Sequence, residues 1–123
     1  MPLANKVMTQ QLQNYYLQLP EPTRGCFLAI RDHILAYDTH ITEAWKYRTP
    51  FFCYDRKIMC YLWINRKTQQ PYLGVVDGKL IEHPQLRSEG RKRVKVLLLD
   101  PAGELPLDII DFVLQQSIAR WQR

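Results

Sequence analysis

The sequence lacks any run of about 18 consecutive apolar residues, so no segment of it reads as a membrane-crossing helix. Its start, MPLANKVMTQQLQ, lacks the apolar stretch and cleavage site of a signal peptide, so a cytoplasmic chain is expected. It has no CxxC pair. Its three cysteines, Cys26, Cys53 and Cys60, are odd in number and lie among apolar residues, which points to reduced thiols in or near a core. It has no HxxxH or HExxH, and His33, His40 and His83 are scattered, so no metal site is expected. GxSxG, Walker A and GxGxxG are all absent. No catalytic constellation and no cofactor can be assigned from motifs. There is no repeat, low-complexity tract or linker.

Acidic residues are the scarcer charge. Seventeen Lys and Arg stand against twelve Asp and Glu, leaving a formal charge of +5. That excess suggests a mild attraction to anions, whether nucleic acid, phosphate metabolites or a membrane surface. The chain has 123 residues, 46% of them hydrophobic and 24% charged. This composition fits one folded domain over residues 1–123 and excludes a disordered or fibrous chain.

Periodicity divides the chain into three regions. Residues 5–18 read as a helix, with Met8, Leu12, Tyr15, Tyr16 and Leu19 at helical spacing and Pro20 ending it. Pro22 and Thr23 open a second helix whose apolar stripe is Phe27, Ile30, Ile34 and Tyr37. From residue 42 the period shifts towards two. Strands are expected at 43–48, 51–54, 58–64, 71–76 and 94–99, with Thr49-Pro50 as the break between the first two. In the third, Ile58, Cys60, Leu62 and Ile64 point one way, and Met59, Tyr61 and Trp63 the other. Asp77-Gly78 is a turn signal, and residues 83–91 read as a loop or short helix. Pro106 begins a last helix with Ile110, Val113, Leu114, Ile118 and Trp121 on one face. The order predicts an α+β fold: an antiparallel sheet with N-terminal and C-terminal helices packed on one face.

Two surfaces could carry function. If 43–48 is extended, Glu43, Trp45 and Tyr47 share one side and Ala44, Lys46 and Arg48 the other. Lys46 and Arg48 would then present paired cations to a carboxylate or phosphate, with Glu43 orienting one of them. A strand ending in Thr-Pro is expected to bend and open a cleft there, walled by Tyr47, Phe51, Tyr61 or Trp63. The alternative is an edge strand whose charges prevent edge pairing. The basic run Arg87, Arg91, Lys92, Arg93 and Lys95 reads either as a phosphate contact or as a solvated loop.

The order of several segments in residues 22–120 resembles the YdhG-like family, a domain family of unknown function. FLAIRDHIL lies on a helix, and EAWKYRTPFF is similar to that family's Glu-x-x-Lys-aromatic-x-x-Pro-x-Phe segment. A hairpin carries KIMCYLWINRKTQQPYLGVVDGKLI, EGRKRVKVLLLD leads into a strand, and LPLDIIDFVLQQSIA forms the final helix. The resemblance implies a frataxin-like layout with a curved sheet of about five strands. It also implies, for some members, iron chaperoning for iron–sulfur or haem assembly. An acidic first helix carries that iron role, yet residues 5–18 hold no Asp or Glu. Hard cations want clustered carboxylates.

The leading expectation is a small binding or adaptor domain taking an anionic small molecule or a protein partner. Its site comprises Glu43, Lys46, Tyr47, Arg48, Phe51, Tyr61 and Trp63. An iron chaperone is the second reading. A nucleic-acid binder using Tyr61, Trp63 and the 87–95 run is the third, weakened by the absence of an RNP-type aromatic motif. No membrane partner is expected, and a homodimer stays open. Thiol titration of the denatured, non-reduced protein is expected to find three free thiols; fewer would contradict the reduced-core reading.

Overall fold

In the computed structural model, residues 7–122 are described. The elements run α1 (Gln10–Gln18), α2 (Thr23–Tyr37), β1 (Ile41–Lys46), β2 (Thr49–Tyr54), β3 (Lys57–Ile64), β4 (Pro71–Val75), β5 (Lys95–Leu98) and α3 (Leu107–Trp121). The five strands form one antiparallel sheet in sequence order, β1-β2-β3-β4-β5. The α+β class therefore stands as expected. No helix among the described residues is long and apolar enough to cross a membrane.

Helix α1 starts later than its periodicity implies. Thr9 caps it, its hydroxyl accepting the Leu12 N–H at 3.3 Å, so Val7 and Met8 precede the helix. Residues 5 and 6 lie outside the described residues. At the other end of the chain, Asp108 occupies the first turn of α3 and Arg120 the last, each suited to the helix dipole there.

All three helices feed one core. Leu12 and Tyr16 of α1, Phe27, Ile30 and Ile34 of α2, and Ile110, Val113 and Leu114 of α3 meet Ile41, Phe52, Cys60, Leu62, Leu73 and Leu97 of the sheet. Each fully buried aliphatic or aromatic side chain contributes about 1.5–3 kcal/mol. The alternate residues of β2 to β5, including Phe51, Tyr61, Trp63, Tyr72 and Val96, lie outside this cluster. They form the other face of the sheet.

Two local irregularities shape that face. The pairs Phe52↔Cys60 and Cys53↔Ile58 leave Met59 as the extra residue of a β-bulge. The bulge turns Met59 into the core, where it is fully buried, and hands the opposite face to Ile58. The alternation that groups Met59 with Tyr61 and Trp63 is corrected by this one inserted residue. The second irregularity concerns Pro50. Thr49-Pro50 is not a break between strands but the start of β2. Pro50 has no N–H to offer β3. The β3 pairing therefore starts at Phe51, the Leu62 carbonyl accepts the Thr49 hydroxyl instead, and pairing with β1 runs on through Pro50 and Thr49.

The connection from β4 to β5 is also longer than the Asp77-Gly78 signal suggests. Asp77 has a positive φ and leads into a 3-10 turn at Gly78–Leu80, not into a two-residue hairpin. The chain then returns without a helix in 83–91, and Arg87 bridges Val96 with reciprocal backbone bonds of 2.9 and 2.7 Å. That bridge covers the open edge of β5.

Glu43 fixes which face the helices take. On β1 it accepts Arg31 Nε at 2.6 Å and the Tyr16 hydroxyl at 2.6 Å. The Arg31 and Glu43 side chains are only 7% and 5% exposed. Burial first, then the adjacent carboxylate, holds the Tyr16 phenol protonated far above its ordinary range. Glu43→Leu is expected to cost about 3–5 kcal/mol in urea unfolding, because the buried guanidinium loses its buried carboxylate, the exposed Asp32 at 3.2 Å being the weaker partner. Adding Arg31→Met and Tyr16→Phe is expected to recover most of that loss. A triple variant as unstable as the single one would contradict the assignment.

Candidate functional site

The face away from the helices carries a continuous set of aromatic side chains. Register places Phe51 opposite Tyr61, Tyr61 opposite Gly74, and Trp63 opposite Tyr72. The Phe51 and Tyr61 rings stack at 4.9 Å, and Tyr61 meets Tyr72 edge-on at 6.3 Å. Gly74 makes this possible: a Cβ there would collide with the Tyr61 ring, which lies across its backbone. Tyr47 adds a further ring 5.7 Å from Phe51. Together Tyr47, Thr49, Phe51, Tyr61, Trp63 and Tyr72 line a depression of about 240 Å³. Phe51 and Tyr72 are its buried floor, whereas Tyr47 is 79% exposed at its rim. Burial raises the Tyr61 hydroxyl to about 12, with Tyr72 adding to the effect. The phenol is therefore neutral at physiological pH and does not repel an anion.

Cations surround this floor. Arg91 lies 5.5 Å from the Tyr72 ring centre and donates to its hydroxyl at 3.4 Å. Arg66 lies 6.0 Å from Trp63. Arg91 also pairs with Glu89 at 3.3 Å, whereas the guanidinium–ring contact of Arg66 leaves its polar edge available. Arg48, Arg56, Lys57 and Arg66 form no ion pair with any described residue.

Two of these cations sit in strained turns. Lys46 pairs with Thr49, and Tyr54 with Lys57, so each hairpin has a two-residue loop. Tyr47, Arg48, Asp55 and Arg56 all have positive φ, at 51°, 64°, 48° and 73°. Two-residue loops of this shape favour Asn or Asp followed by Gly. A side chain in the left-handed region costs about 1–2 kcal/mol. The chain thus holds Tyr47 and Arg48 where glycine would be cheaper; Tyr47 lines the aromatic depression, and Arg48 lines neighbouring ones together with Tyr15 and Gln18 of α1.

The structure brings four of the seven expected site residues into one depression: Tyr47, Phe51, Tyr61 and Trp63. Arg48 lines the adjoining depression, which it shares with Trp63 and Arg66. It is not on one strand face with Lys46, because the turn falls at residues 47 and 48. Lys46 is exposed at the end of β1 and lines none of the depressions described here. Glu43 belongs to the opposite face, buried against Arg31 and Tyr16, and orients no cation of this site. The cleft arises from the hairpin turn and the sheet surface, since Thr49-Pro50 continues the pairing. Tyr72, Arg66 and Arg91 complete the surroundings without having been singled out together. Alternation of Tyr72 with Gly74 on β4 is the signal that finds the first of them.

The three thiols contribute no nucleophile here. Cys26, Cys53 and Cys60 are free and buried, and burial pushes each thiol up from its ordinary value. No family model matches the sequence, and no curated protein or solved structure matches it. Relief of the turn strain is directly measurable. Arg48→Gly is expected to raise unfolding stability by about 1 kcal/mol. A loss of stability would show that the Arg48 side chain holds the hairpin together.

Proposed function

We propose that this chain is a binding module whose exposed sheet face takes a flat, negatively charged ligand. The observation that carries this reading is a depression walled by five aromatic rings and adjoined by Arg48 and Arg66, neither of which pairs with a described carboxylate. Aromatic floors offer large apolar area to a planar group. Arginines at the rim match carboxylate, phosphate or sulfonate oxygens with paired donors. Strain retained at Tyr47 and Arg48 supports the same reading, because left-handed side chains persist where a function needs them.

The iron-chaperone reading that comes with the YdhG-like resemblance draws no support from the described residues, among which no three His, Cys, Asp or Glu side chains stand together. No observation on the molecule favours it over the aromatic face.

A matched pair of probes tests the proposal. 8-Anilinonaphthalene-1-sulfonate is expected to bind at least about tenfold more tightly than neutral N-phenyl-1-naphthylamine, a difference of about 1.4 kcal/mol. Replacing Arg48 with Gly and Arg66 with Ala together is expected to remove most of that preference. Equal binding of the charged and neutral probes would reduce the site to a greasy patch and overturn the proposal.

A further inference from the structure

We infer that the ligand of this face is single-stranded nucleic acid, an assignment that rests on reading the face as a flat-anion platform. The added observation is that the aromatic depression is one of three in a row. On one side it shares Trp63 with a depression of about 400 Å³ bordered by Arg48 and Arg66 and, opposite them, by Tyr15, Gln18, Leu19 and Pro20 at the end of α1. On the other it shares Phe51 and Tyr61 with one of about 700 Å³ bordered by Arg56, Lys57 and an Arg93–Asp77 ion pair and closed by Trp121. Residues of β3 reach all three, Ile58 in one end depression and Ile64, which packs on the helix side of the sheet, in the other. Six residues of strand span about 20 Å. That is room for about six nucleotides at the ~3.4 Å stacked rise of a single strand.

The distribution of charge follows the same line. Cations stand at both ends and rings fill the middle. A compact anion would need only one of the two cationic ends. A polymer with a charge on every unit and a flat group between charges uses both. Sheets that bind single strands stack unpaired bases on exposed rings and track the backbone with Lys and Arg. The rings here come from β2, β3 and β4, separated in sequence, which is why no short RNP-type motif announces them. A duplex hides its base faces and could not use the rings. A second copy of the chain would bring a net charge of +5 against +5.

The test uses the intact chain and four probes of fixed chemistry: the octamer dT8, the monomer dTMP, an eight-base-pair duplex, and octaglutamate. At ~0.1 M salt dT8 is expected to bind in the ~1–100 μM range, at least tenfold tighter than each of the others. Four unpaired cations at about 0.7 counterions each give a log–log salt slope near −3. Trp63→Ala is expected to weaken dT8 binding tenfold or more. Because Trp63 is half-buried, Arg48→Gly provides an independent variant in a surface turn, expected to weaken binding and reduce the slope by about 0.7. Lys79→Ala, an exposed charge off this face, is expected to leave affinity unchanged. If octaglutamate or the duplex matches dT8, the surface reads charge alone and the assignment is overturned. If dT8 binds no better than dTMP while the naphthalenesulfonate still binds, the nucleic-acid assignment falls and the flat-anion reading stands. If neither dT8 nor the naphthalenesulfonate binds, both fall.

Discussion

The Glu43 carboxylate is where α1, α2 and β1 are joined, through Tyr16 and Arg31. A buried carboxylate needs its partners on the same side of the sheet, because leaving one charge alone costs several kcal/mol. Once Glu43 faces inward, alternation sends Thr42, Ala44 and Lys46 outward, and the register carries the same choice across β2 to β5. The helices then have one face to cover. The other is left to its own side chains and to solvent.

What an uncovered sheet face does with its residues follows from that. Leaving Phe51, Tyr61, Trp63 and Tyr72 singly exposed would leave a broad apolar patch. The rings pack on one another, Gly74 makes room for Tyr61, and Arg91 and Arg66 lie beside the outer rings. The result is a surface whose rings shield one another and still present planar groups next to cations. The left-handed turns at 47–48 and 55–56 each hold a cation in a depression adjoining the aromatic one, at the expense of local strain.

Much of the architecture was legible because its elements are strongly periodic. Ile30, Ile34, Ile110 and Leu114 announce their helices, and Ile58 to Ile64 announces a strand. The departures have separate physical causes. The bulge at Met59 depends on how β2 and β3 pair, which no single segment encodes. The Tyr47-Arg48 turn carries none of the Asn or Gly that marks such loops. Thr49 repairs the ladder beside Pro50 with a side-chain hydroxyl, so a residue that reads as a breaker sits inside a strand. Glu43 misled for a similar reason: three residues from Lys46, it looks like a surface partner, while its real partners lie 12 and 27 residues away. Aromatic site residues were easier to find than charged ones because alternation along β3 fixes where a ring points, whereas an arginine's role depends on who else is near.

The central claim is that ligands meet the ring-bearing face and not the helices. Its most direct measurement is an NMR map of backbone amide and tryptophan indole shifts during titration with 8-anilinonaphthalene-1-sulfonate. Trp45 packs against the helix-side core and serves as an internal reference for Trp63 on the exposed face. The account predicts that the largest shifts fall on Tyr47, Arg48, Tyr61, Tyr72 and the Trp63 indole, with the Trp45 indole and the amides of α2 unmoved. Shifts concentrated on the helices, with Trp63 silent, would contradict it.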